Sequence, residues 1–195
     1  LDSMVTGENQ ITGQVKQAFE MAVQSQATGT HLNQLFNRAF YVAKRVKTET
    51  QISKGNVSVG SVAVMLARKI FGKLNEKNVL LFGAGEIGEL VLRYLNEFTN
   101  KAYVYNRTYE KAILLEDQGL GIACSDEKLP KALQEADVIV TSLGGGGHEQ
   151  FKYNELESLM RVRRESPLFL IDLGVPRNID PETQSLSNVY LYNVD

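Results

Sequence analysis

Two rhythms of apolar residues run along this chain, and one gives way to the other near residue 75. Up to that point the spacing is helical. Between Glu8 and Ala27, the residues Ile11, Val15, Ala18, Phe19, Ala22 and Val23 recur three or four positions apart, which places them on one helix face. Thr28-Gly29-Thr30 interrupts the pattern. A second run carries Leu32, Leu35, Phe36, Ala39, Phe40, Ala43 and Val46 on one side. Ser53-Lys54-Gly55-Asn56 reads as a turn, and Ser58 is placed to cap a third helix through Phe71. That helix would turn Val62, Ala63, Leu66, Ala67 and Ile70 inward and end at Gly72.

After Lys73 the apolar residues gather into short runs at 78–82, 102–105, 138–140 and 168–171, with a weaker one at 189–192. Helical patterns fill the gaps at 86–98, 108–117, 126–134 and 153–164. Short apolar strands alternating with helices predict a parallel sheet covered on both faces. The expected fold class is α/β: a Rossmann-like doubly wound parallel sheet over residues 76–195, preceded by a long helical segment over residues 1–75.

Composition narrows the possible chemistry. The chain has 195 residues, with a single cysteine, Cys124, and two histidines, His31 and His148. That inventory excludes an internal disulfide framework and a Cys/His zinc cage, so no metal is expected. No apolar run reaches the roughly 18–20 residues a bilayer span requires. The first ten residues hold no secretory signal, which points to a reducing, cytoplasmic setting. A first residue of Leu rather than Met suggests an excerpt of a longer chain. The net charge of −2 is unevenly distributed. Residues 1–75 hold nine Lys and Arg against four Asp and Glu, and the remainder twelve against nineteen, so the two parts carry +5 and −7. Either both are simply solvated surfaces, or Arg38, Lys44, Arg45 and Lys47 on the second helix meet a polyanion.

The chemistry-bearing motif is Gly83-Ala84-Gly85-Glu86-Ile87-Gly88, which follows an apolar strand and opens a helix. In such a turn the first glycine permits the tight bend, the second admits a pyrophosphate and the third lets helix and strand pack. The amides at the helix start face the phosphates. At the end of the next strand, where a ribose-binding acid is expected for NAD, the chain has Asn106-Arg107-Thr108. A guanidinium there attracts a 2′-phosphate, so the cofactor reads as NADPH. Thr141, Ser142 and Gly144, at the end of the 138–140 run, are placed to border the nicotinamide side. Asp172 on the same rim either joins them or fixes a turn. Cys124, His31 and His148 read as structural or surface residues rather than catalysts.

These residues together resemble the glutamyl-tRNA reductase family, along nearly the whole chain. The resemblance rests on L-D-S-M-V-T-G-E-N-Q-I-T-G-Q-V-K at 1–16, A-K-R-V-K-T-E-T at 43–50 and V-S-V-G-S-V-A-V at 57–64. It continues through G-A-G-E-I-G-E-L at 83–90, N-R-T at 106–108 and E-A-D-V-I-V at 135–140, then D-L-G-V-P-R-N-I-D-P at 172–181 and N-V-Y-L-Y-N-V-D at 188–195. It implies a middle portion of an NADPH-dependent enzyme that reduces glutamyl-tRNA to glutamate-1-semialdehyde for tetrapyrrole synthesis. In that family a cysteine thiolate attacks the glutamyl ester and the resulting thioester accepts hydride. The family's nucleophile lies upstream of anything resembling Leu1, and Cys124 does not match it, so the excerpt alone is expected to be inactive. The resemblance also implies substrate contacts from Ser3, Glu8, Asn9, Gln10 and Gln14. Implied partners are glutamyl-tRNA, a second copy of the chain when a C-terminal dimerisation domain is present, and the aminotransferase of the next step, with no membrane. Two alternatives share the glycine loop: a shikimate-dehydrogenase-like reductase and a regulatory dinucleotide-sensing module.

Overall fold

The computed structural model describes residues 9–50, 52, 59–99, 101–144, 151–164 and 166–193. It divides into two compact units, with the boundary between residues 58 and 59.

The first unit contains α1 (Asn9–Gln24) and α2 (Thr30–Glu49). Phe19 of α1 stacks on Phe36 of α2 with ring centroids 4.8 Å apart and meets Phe40 at 5.9 Å. This aromatic cluster uses a narrower stripe than the sequence predicts. Ile11, Val15, Phe19 and Ala22 are half-buried, whereas Ala18 and Val23 are exposed. On α2, Leu32, Leu35 and Val46 remain exposed, and no residue is buried. Two helices by themselves cover only one strip of each other, so the rest of an apolar face stays open.

The second unit begins with α3 (Val59–Phe71) and continues β1 (Val79–Phe82), α4 (Glu86–Leu95), β2 (Ala102–Tyr105), α5 (Tyr109–Asp117) and β3 (Ile122–Ala123). Its second half is α6 (Leu129–Glu135), β4 (Val138–Thr141), α7 (Tyr153–Val162), β5 (Leu168–Asp172), a 3-10 turn (Pro181–Ser185) and β6 (Val189–Asn193). Among the described residues six strands form one parallel sheet, in the order β3-β2-β1-β4-β5-β6. Val79 of β1 pairs with Ala102 of β2 on one side and Val138 of β4 on the other. β1 is therefore central, buried along its whole length, and sits where the strand order reverses. Open sheets of this kind bind ligands in the crevice at the carboxyl ends of the strands beside that reversal.

Both faces of the sheet are covered. Leu80, Phe82, Ile139 and Leu170 pack with Phe151, Leu156 and Met160 on the α7 side. On the opposite side Val79, Val138 and Val140 meet Val91 and Leu95 of α4 and Ala63, Val64 and Ala67 of α3. This corrects two expectations. The helix α3 belongs to the sheet unit and not to the preceding helical segment, so the division falls at 58/59 rather than 75/76. Its buried face is also rotated: Val59, Gly60, Ser61, Ala63, Val64 and Ala67 are inside, while Val62 is 39% exposed. The cause is Gly60, where a Cβ would lie 3.1 Å from the Val91 backbone nitrogen. The small residues let the α3 and α4 backbones approach, and that contact, not the larger side chains, selects the face.

Candidate functional site

The glycine loop leaves the central strand at its carboxyl end. Gly83 has φ +110°, a conformation that disfavours a side chain, and a Cβ there would meet the Ser142 carbonyl oxygen at 2.7 Å. A Cβ on Gly88 would collide with the Gly83 carbonyl oxygen. Packing of the protein alone therefore demands these two glycines. Gly85 is different. It caps α4 in an ordinary extended conformation (φ −89°, ψ −174°), and a Cβ there would find nothing within 4 Å. The fold gives no reason for a missing side chain at 85. A ligand that needs the backbone close does.

The geometry fits a phosphate group. Gly85 provides no side-chain cap, so the amides opening α4 are not satisfied from that position. Such a helix start carries partial positive charge and open donors. Within the loop, Ala84 is not one of the free donors, because its N–H donates to Asn106 Oδ1 at 3.1 Å. Glu86 and Ile87 can offer their amides, while the Glu86 side chain lies exposed.

At the end of β2 the three predicted residues separate in role. Asn106 braces the loop: besides accepting from Ala84, it donates through Nδ2 to the Thr108 carbonyl at 2.8 Å. Both ends of its amide are thus engaged by protein, and it serves the loop as a brace. Arg107 is exposed and makes no hydrogen bond or ion pair among the described residues. Thr108 begins α5 without a side-chain cap bond, so its hydroxyl is not occupied by the helix.

The rim formed by β4 and β5 shows a similar division. Thr141 is fully buried and donates to Asp172 Oδ1 at 2.8 Å, so it supports the rim and does not face a ligand. Ser142 is half-buried beneath the glycine loop, its Oγ 3.3 Å from the Gly83 carbonyl. Asp172 is 1% exposed. It accepts from Thr141 Oγ1, from the Gly174 N–H, and from the Asn178 and Ile179 N–H groups at 2.8 and 2.9 Å. It is the turn-fixing aspartate of the two readings. Asn178 is a residue that sequence patterns do not single out. It is buried, accepts from the Leu143 N–H at 3.0 Å and donates to the Leu143 carbonyl at 3.1 Å. Its only sequence signal is its place within D-L-G-V-P-R-N-I-D-P.

Of the residues expected to hold substrate, Ser3 and Glu8 lie outside the described residues, as does His148 in the glycine-rich loop. Asn9 and Gln10 open α1, and Gln14 is exposed on it. His31 is exposed on α2. Cys124 is 1% exposed, and burial pushes its thiol pKa up, the Lys128 ammonium opposing and Asp126 adding to the rise. A nucleophilic cysteine needs the opposite shift. Among the described residues no cluster of His, Cys, Asp or Glu could hold a metal, and no helix is long and apolar enough to cross a membrane.

Comparison with known proteins gives the geometry its relatives. Residues 65–195 match the family model described as shikimate / quinate 5-dehydrogenase. Residues 1–50 match that of the glutamyl-tRNA reductase N-terminal domain. A glutamyl-tRNA reductase of Desulfotalea psychrophila is 47% identical over the whole chain, which covers 46% of that protein. One from Desulfatibacillum aliphaticivorans is 44% identical, with 45% of it covered. The chain thus spans about half the length of the curated relatives it matches. The solved glutamyl-tRNA reductase of Methanopyrus kandleri superimposes with TM-score 0.62 at 34% identity, over 99% of this chain and 49% of that one. A dipicolinate synthase of Bacillus halodurans, at 20% identity and TM-score 0.55 over 68% of this chain and 43% of that one, shares the fold. By its sheet domain the chain belongs to the shikimate / quinate 5-dehydrogenase family, and along its whole length it is related to the glutamyl-tRNA reductases.

Proposed function

We propose that this chain is the NADPH-binding portion of an enzyme that reduces glutamyl-tRNA to glutamate-1-semialdehyde, at the entry to tetrapyrrole synthesis. The observation that carries the reading is Gly85: a glycine the fold does not require, at the open start of α4, in a loop tied to Asn106, the residue before the cationic Arg107. Likeness along the whole of this chain to about half of each glutamyl-tRNA reductase supports the substrate assignment. The match of residues 1–50 to that enzyme's N-terminal domain favours it over a shikimate-type reductase, with which the sheet domain shares its family.

When bound, the dinucleotide supplies hydride from its nicotinamide ring. The chain's residues bind and orient it. The amides that open α4 take the pyrophosphate, which Gly85 lets approach the backbone. Asn106 holds the loop to the end of β2, so that Arg107 and the Thr108 hydroxyl stand where the adenosine ribose arrives. Arg107 pairs with the 2′-phosphate, and its planar guanidinium suits both that contact and stacking on adenine. Ser142 supports the glycine loop from below. Cys124, buried and with its pKa raised, takes no part in attack on the ester. The chain is therefore expected to bind NADPH without turning over glutamyl-tRNA. Contacts from Ser3, Glu8, Asn9, Gln10 and Gln14 to the glutamyl group, and from the basic face of α2 to tRNA, belong to the same proposal. On that face Arg45 is already paired with Glu49 at 2.9 Å, which leaves Arg38, Lys44 and Lys47 as the phosphate candidates.

Fluorescence titration with NADPH and NADH tests the cofactor assignment. NADPH binds more tightly, and Arg107→Ala removes most of that preference, weakening NADPH by roughly tenfold or more while changing NADH by about twofold. Equal affinity of the unmodified chain for the two would overturn the assignment.

A further inference from the structure

Resting on the dinucleotide reading above, we infer that Asn178 is a positioning residue for the nicotinamide half of the site. The sheet has two halves about β1. The half with β2 receives the adenosine ribose at Arg107, so the other nucleotide lies over the ends of β4 and β5. The backbone there is Ser142-Leu143-Gly144. Asn178 grips it with both ends of its amide, accepting from the Leu143 N–H at 3.0 Å and donating to the Leu143 carbonyl at 3.1 Å. A primary amide closed on both groups of one residue fixes that residue's orientation as a strand neighbour would.

The grip is itself held. The Asn178 N–H donates to Asp172 Oδ2 at 2.8 Å, and Asp172 is anchored to β4 through Thr141. Next to Leu143, Ser142 donates from its backbone to Phe82 and supports Gly83. One chain of contacts thus runs from β5 through Asn178 to Leu143, and from there to the glycine loop. Gly174 belongs to the device: a Cβ at 174 would occupy the position of the Asn178 amide. Gly174 has no positive φ and is buried, so the space for that amide is what an alanine there would remove. Removal of the amide frees Leu143 to turn and disorders the surface on which the nicotinamide ribose rests. The adenosine side, braced separately by Asn106, is untouched.

The test is titration of the 195-residue chain with NADPH and with adenosine 2′,5′-bisphosphate, which carries the adenosine and 2′-phosphate but no nicotinamide. Asn178→Ala weakens NADPH by roughly tenfold, about one hydrogen-bonded contact, and adenosine 2′,5′-bisphosphate by less than about twofold. Gly174→Ala, which keeps Asn178 but displaces its amide, gives the same split. A purely structural role would lower both affinities together, and that result overturns the inference. So does an unchanged NADPH affinity in both variants. Should the unmodified chain bind neither compound, the dinucleotide reading itself falls, and this inference with it. Should it bind both and the split not appear, only the inference falls.

Discussion

Gly83, Gly85 and Gly88 carry the same absent side chain for different reasons, and substitution separates them. Gly88→Ala forces a methyl group against the Gly83 carbonyl and destabilises the fold by about 1–3 kcal/mol, read as a lower urea midpoint. Gly85→Ala meets open space in an extended backbone, so its stability stays within about 0.5 kcal/mol of the parent. Its NADPH affinity nevertheless falls by roughly tenfold or more, because the methyl stands where the pyrophosphate must come. If Gly85→Ala binds as the parent does, the phosphate is not at α4. This residue scale is also where sequence and structure part company. The glycine spacing and Arg107 are legible, because their meaning lies in neighbours along the chain. Asn106 and Thr141 read as ligands because an amide or a hydroxyl at a strand end serves a cofactor and a brace equally well. Their actual partners, Ala84 and Asp172, lie 22 and 31 positions away, beyond the reach of any local pattern.

At the scale of elements, the strands and the helices between them follow the predicted pattern closely, since short apolar runs alternating with longer helical patterns signal βαβ units and a buried parallel sheet. The misses are β3 and the face of α3. β3 has only two residues, and Ile122 on it is exposed at the sheet edge, so no apolar run announces it. The face of α3 is set by backbone contact at Gly60, which a count of large side chains cannot detect. Gly60→Leu therefore pushes α3 off α4 and lowers stability by about 1–3 kcal/mol, measurable by denaturant unfolding. A second joint links α7 to α6. The buried Arg163 guanidinium donates to the Leu133, Gln134 and Pro167 carbonyls at 2.9, 2.7 and 3.2 Å, closing the open end of α6. Burial lowers its pKa, with Asp137 opposing. Arg163→Met fills similar volume but abandons those carbonyls, and is expected to cost about 1–3 kcal/mol.

For the molecule as a whole, α3 decides where the chain can be cut. A chain starting at Val59 keeps Ala63, Val64 and Ala67 over Val79, Val91 and Leu95 and is expected to unfold cooperatively. One starting at Glu76 uncovers that side of the sheet and loses a sharp transition in circular dichroism. Stability also depends on alkaline pH. Burial raises the pKa of the Cys124 thiol above its ordinary 9.0. Burial likewise raises the Tyr105 phenol above 10.0, aided by its hydrogen bond to Asp126. Both groups hold their protons more tightly when folded, so their contribution is complete below those ordinary values and is lost as pH rises through the folded ones. The urea midpoint should fall above pH 9.0, and the double variant Cys124→Ala, Tyr105→Phe should flatten that limb. An identical slope in parent and variant would assign the alkaline loss to other groups.

The strand order that places β1 beside both β2 and β4 also sets a timetable for the emerging polypeptide. β2 follows β1 within one helical crossover, but the partner of Val79 on the other edge is Val138. At a ribosome adding about 5–20 residues per second, that second edge waits about 3–12 s for its neighbour. Through that interval a wholly apolar strand presents an unpaired row of amides and carbonyls, the form of backbone most prone to join another chain. The arrangement that creates the binding crevice therefore makes the half-synthesised protein a natural client for chaperones, and co-expression of chaperones should raise its soluble yield.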